Sequence, residues 1–168
     1  MQFQRLLGNS KDPYTTEICR QQLDVEPYRR HDAIYRIVLV ESSIAVGKIM
    51  VRQLSAVFRD IDIPFNISLA VSGVDALDKC DGKYEIDLVI VDNVLPIEMQ
   101  TIELLEILRS QPKTENSMFI LLSKSALSNI AELIASGADL IWPKPLPDKT
   151  QLTKRLKRIC NHYKVQLE

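Results

Sequence analysis

The stretch Leu88-Val89-Ile90-Val91-Asp92-Asn93-Val94-Leu95-Pro96 decides how this chain is read. Four apolar residues in a row are the pattern of a strand buried on both faces, as inside a parallel sheet. Asp92 closes that run. A carboxylate in mid-strand would be a buried charge costing several kcal/mol, about as much as a small domain can tolerate. At the last strand position it reaches the sheet's C-terminal edge, where open α/β sheets bind their ligands. There it can be solvated, paired with a cation, or used for chemistry.

The same alternation extends in both directions. Ile37 to Val40 is an earlier apolar run ending in Glu41, after which Ser42 or Ser43 can cap a helix carrying Met50, Leu54, Val57, Phe58 and Ile61 at helical spacing. Pro64 ends that helix. Ile67, Leu69 and Val71 alternate with Ser68, Ala70 and Ser72, which suits a half-exposed edge strand. Gly73 opens a short helix through Ala76, Leu77 and Cys80. Beyond Asp92 a third helix is expected with Ile97, Leu104, Leu105 and Leu108 on one face, stopped by Pro112. Phe119 to Leu122 reads as the fourth strand, ending at Ser123. A fourth helix follows on Leu127, Ile130 and Ile134, closed by Gly137. Leu140-Ile141-Trp142 is a short fifth strand. A last amphipathic helix buries Leu152, Leu156, Ile159 and Tyr163 and leaves Lys154, Arg155, Lys157 and Arg158 in solvent.

Five such units in about 130 residues predict an α/β fold, a doubly wound (βα)5 parallel sheet with right-handed crossovers. The polar second strand and the short fifth strand belong at the edges, which gives the flavodoxin-like order 2-1-3-4-5. Residues 1–33 are polar, carry Pro13 and Pro27, and read as an N-terminal extension or linker; residues 34–168 form the domain.

Composition narrows the function. The chain has 168 residues and a net charge of −1, which gives no electrostatic footprint for nucleic acid or an anionic membrane. Cys19, Cys80 and Cys160 are few, odd in number and widely spaced, so ordinary thiols in a reducing compartment are expected rather than a disulfide framework. His31 and His162 lie in polar surroundings and read as surface residues. No apolar stretch approaches the roughly 18 residues of a membrane span, and no signal segment opens the chain, so a cytoplasmic location is expected. The five glycines form no GxGxxG or GxxxxGKS motif. A flavin- or nucleotide-binding protein of similar architecture needs a cradling loop after the first strand, and Glu41-Ser42-Ser43-Ile44-Ala45 would repel phosphate with its leading acid.

Parallel strands end on one side, so Glu41 with Ser42, Asp92, Ser123 and Lys144 are expected to converge. In order and residue type the chain resembles a receiver domain, the phosphoacceptor module of two-component response regulators. The resemblance covers about residues 35–163 and rests on Ile37-Val38-Leu39-Val40-Glu41-Ser42, Asp87 through Pro96, Ile120-Leu121-Leu122-Ser123, and Gly137-Ala138-Asp139 through Lys144-Pro145. It implies Asp92 as the acceptor of a phosphoryl group from a histidine kinase or histidine phosphotransfer protein. By the same resemblance Ser123 is the switch hydroxyl and Lys144 pairs with aspartate and phosphate. It also implies Mg²⁺, held by Glu41 and Asp92.

Three departures make this an atypical member. Receivers carry two adjacent acids after the first strand, and here the second is Ser42, so weakened metal binding is expected. Met99-Gln100 stands where Asp-Gly is usual. Ile141 replaces the switching aromatic three residues before the lysine, and its neighbour Trp142 points to the opposite face of the strand. The expected function is therefore phosphorelay signalling by a non-enzymatic module, with an unphosphorylated, protein-binding pseudo-receiver as the alternative. Only about five residues follow the final helix, so no output domain is expected there. Output is expected through protein contacts on the fourth helix, fifth strand and fifth helix.

Overall fold

The computed structural model describes residues 34–124 and 129–165, with side chains through 161. Five strands alternate with five helices: β1 Tyr35–Val40, α1 Ile44–Asp60, β2 Phe65–Ala70, α2 Gly73–Cys80, β3 Leu88–Asp92, α3 Thr101–Ser110, β4 Met118–Ser123, α4 Ile130–Ala135, β5 Leu140–Pro143 and α5 Lys149–Val165. All strand pairs are parallel, in the order β2-β1-β3-β4-β5. The three most apolar runs are thus central, because only central strands must satisfy an apolar environment on both faces.

Strand alternation divides the core into two layers. Ile37, Leu39, Leu88, Ile90, Ile120, Leu122 and Trp142 pack against Met50, Leu54, Val57 and Phe58 of α1 and Leu152, Leu156 and Cys160 of α5. The intervening residues, Val38, Val40, Val89, Val91, Phe119, Leu121 and Ile141, pack against α2, α3 and α4. Trp142 and Ile141 therefore face opposite layers, as consecutive strand residues must. Close approach of α1 to β2 depends on Gly47, where a Cβ would come within 2.6 Å of the Leu69 side chain.

Two details depart from the sequence reading. Ile97 is 96% exposed and lies outside α3, which starts four residues later. Its spacing of seven from Leu104 mimics a helical face, but residues 96–99 form a turn, with the Met99 N–H donating to the Pro96 carbonyl at 3.2 Å. In α4 the residue carrying the burial is Leu133, while Ile130 and Ile134 are only half-buried. Leu127 lies outside the described residues, as do residues 1–33 with Cys19 and His31; His162 and Tyr163 fall outside the described side chains. Gly137 closes α4 with φ +118°, a conformation that L side chains avoid.

Candidate functional site

The junctions after β1, β3 and β5 on the C-terminal edge bring three charged side chains to the same place. Asp92, the last residue of β3, is 7% exposed, and its Oδ2 accepts a hydrogen bond from the Lys144 Nζ at 2.6 Å. Glu41 follows β1 directly and is more deeply buried, at 2% exposed. Its Oε2 pairs with the same ammonium. The other oxygen, Oε1, accepts the Ser43 N–H at 2.8 Å. Glu41 thereby sits at the positive N-terminal end of α1. The helix cap itself is Ser43, whose hydroxyl accepts from the Val46 N–H at 3.4 Å. Ser42 points to solvent.

Lys144 is placed by the backbone just past β5. Its N–H donates to the Ser123 carbonyl at 2.8 Å, which ties the end of β4 to the lysine, and the following Lys144–Pro145 peptide is cis. Ser123 itself is buried at the end of β4. Burial works against the Lys144 charge, but the Asp92 and Glu41 carboxylates outweigh it and hold the ammonium above the ordinary lysine value. The pocket thus contains two carboxylates and one ammonium, an excess of one negative charge.

The loop after β3 is pinned by a residue that sequence reasoning did not single out. Thr101, the first residue of α3, is buried, and its hydroxyl donates between the Asp92 carbonyl at 3.0 Å and the Asn93 carbonyl at 3.1 Å. A threonine at a helix start reads as an ordinary polar residue; only the reach back across nine residues gives it this task. Asp92 Oδ1 accepts one long bond, from the Val94 N–H at 3.3 Å. Met99 packs against Gly73, where a Cβ would come within 2.8 Å of its sulfur. The bulky residue at the usual Asp-Gly place is thus accommodated by a bare α2 N-terminus.

A Mg²⁺ site needs six oxygens near 2.0–2.1 Å in octahedral array. Here both available carboxylates bind Lys144, Glu41 also holds the α1 N-terminus, and the third donor position is a neutral, exposed serine. Among the described residues no group of three or more His, Cys, Asp or Glu side chains is placed to hold a metal ion. As arranged, these residues do not make up a Mg²⁺ site.

No known family model matches the chain, and no curated protein matches it. Solved structures do. The receiver domain of an HD domain-containing protein from Pseudomonas fluorescens is 27% identical, covering 76% of this chain and 95% of that one, with TM-score 0.63. The chemotaxis response regulator CheY4 of Vibrio cholerae is 24% identical over 75% of this chain and 98% of its own, with TM-score 0.61. The receiver domain of a sensor histidine kinase from Pseudomonas aeruginosa, described with a magnesium ion coordinated in its active-site cleft, is 19% identical over 77% and 99%, with TM-score 0.63. Among the described residues no helix is long and apolar enough to cross a membrane. With five parallel strands in the order 2-1-3-4-5 and these neighbours, the chain has the fold of a response-regulator receiver domain.

Proposed function

We propose that this chain is a phosphorelay signalling module that accepts a phosphoryl group on Asp92. The observation carrying this reading is the Lys144 ammonium 2.6 Å from the Asp92 carboxylate at the sheet edge where ligands bind. Phosphoryl transfer asks little covalent chemistry of a protein beyond an in-line nucleophile and positive charge on the phosphoryl oxygens. Oδ2 is held by Lys144, and Oδ1, with its single long bond, is the oxygen free to attack. It attacks the phosphorus of a phosphohistidine on a histidine kinase or phosphotransfer protein. The P–N bond breaks, its electron pair stays on the imidazole, and an aspartyl phosphate results.

Lys144 then pairs with the phosphoryl oxygens, and the hydroxyl of Ser123, at the end of β4, donates to them. The module takes the group from its donor and is not itself an enzyme. Its output is contact with a downstream protein on the α4-β5-α5 face, where the altered Ser123 and Lys144 environment shifts the population of surface conformations. The resemblance implies Mg²⁺ on Glu41 and Asp92, and the Pseudomonas aeruginosa neighbour is described with magnesium in its cleft; here Lys144 engages both carboxylates, and no step of the transfer is routed through a metal.

The exposed, neutral Ser42 favours a second reading, a pseudo-receiver that binds its partner without phosphorylation. Intact-mass measurement after incubation with phosphoramidate or acetyl phosphate separates the two. Gain of one phosphoryl group, lost in Asp92→Asn, supports phosphoacceptance. No gain with either donor leaves the pseudo-receiver.

A further inference from the structure

The pocket's cation is already present as part of the chain. We infer that Lys144 occupies the place of a divalent ion, that Glu41 is committed to holding it there, and that the native pocket takes up no Mg²⁺.

The carboxylate oxygens carry the argument. Glu41 spends Oε1 on the Ser43 N–H and Oε2 on Lys144. Rotating it toward a metal would break the ion pair and also strip the Ser43 N–H at the α1 N-terminus of its acceptor. Asp92 spends Oδ2 on the same ammonium. The side chains of Lys144, Glu41 and Asp92 are 6%, 2% and 10% exposed, so water does little to screen them. One oxygen, Asp92 Oδ1, is left lightly engaged; a single protein oxygen, with water completing the octahedron, gives Mg²⁺ little advantage over bulk solvent. A divalent ion placed between the two acids would have to sit where the ammonium sits. Lys144 and the ion would then repel each other at contact distance, with little water between them to screen the repulsion.

Glu41 is thus a positioning residue. It fixes Lys144 against Asp92 and anchors that arrangement to α1. The inference concerns metal binding alone and holds or fails independently of whether Asp92 accepts phosphate.

The test is Mn²⁺ titration of the full chain, followed by electron paramagnetic resonance of the free ion and by calorimetry with Mg²⁺. Wild type is expected to show no saturable site tighter than about 1 mM. Lys144→Ala removes the resident cation and leaves two facing carboxylates, so it is expected to gain a site at least about tenfold tighter. Where that variant does not fold, Lys144→Gln serves, since its amide fills the space and carries no charge. A wild-type site tighter than about 1 mM overturns the inference, as does a folded Lys144 variant with unchanged affinity. Phosphoryl uptake measured in EDTA keeps the two proposals apart. Uptake in EDTA supports both, uptake that requires Mg²⁺ sinks this inference and spares phosphoacceptance, and no uptake with no metal site does the reverse.

Discussion

The two edges of the sheet each hold a part-buried cluster of a cation and carboxylate, and they are built differently. At the N-terminal edge Arg109 donates to the carbonyls of Glu115, Ser117 and Gly137 at 2.8, 2.9 and 2.6 Å and to Asp139 Oδ2 at 2.8 Å. Its guanidinium also stacks 3.9 Å from the Phe119 ring centroid. Asp139 Oδ2 accepts the Phe119 N–H at 2.8 Å as well. One positive charge meets one negative charge, and the planar fork fits its acceptors, so the cluster ties α3, β4 and the turn after α4 together. At the C-terminal edge one ammonium serves two carboxylates and leaves a negative charge in excess. A balanced cluster has no reason to bind anything. An unbalanced one is a local compromise of stability, the kind that marks a working site.

That contrast can be broken by mutation. Asp139→Asn is expected to cost about 3 kcal/mol in urea unfolding, because it removes the counter-charge of Arg109, whose side chain is only 14% exposed. Asp92→Asn, which relieves the excess negative charge and keeps Lys144 paired with Glu41, is expected to cost less than about 1 kcal/mol or to stabilise. Equal costs at the two positions would mean that the edges do not differ as described.

A pH series sharpens the same point on the C-terminal side. The folded state holds Lys144 above its ordinary value of 10.5, so its contribution is complete below that value and is lost as pH rises through the folded value. Wild-type urea midpoints should therefore fall more steeply than those of Lys144→Gln as pH rises above 10.5, and run parallel to them below it. Parallel curves above 10.5 would show that the carboxylates do not hold the ammonium. The smallest effect is expected at a group that belongs to neither cluster. Burial pushes the Cys80 thiol up to about 11, so it should resist a thiol reagent at pH 8 in the native state and react on unfolding. Rapid native labelling would contradict its place in the core.

How much of this could be read from residues alone follows from how local each signal is. The strand order was legible because Leu88 to Val91 is apolar on both faces while Ile67 to Ser72 alternates, and that difference alone sorts central from edge strands. The meeting of Glu41, Asp92 and Lys144 was legible because parallel strands share one exit. Ile97 was misassigned because periodicity cannot distinguish a helix turn from a loop that happens to keep phase; the pin that starts α3 is Thr101, bound to carbonyls eight and nine residues back. The Arg109–Asp139 cluster joins residues thirty apart through a fork whose acceptors are mostly carbonyls, and carbonyls carry no sequence signature. The commitment of Glu41 to Ser43 was equally hidden, since an acid two residues before a helix cap reads alike as a backbone acceptor or as a ligand.

The most direct test of the account is residue-level trapping. The chain is treated with phosphoramidate, reduced with borohydride to convert any aspartyl phosphate to homoserine, digested and mapped by mass. The account predicts conversion at position 92 and at no other carboxylate. Conversion at other acids with Asp92 untouched, or none at all under conditions that modify an established receiver, would contradict it.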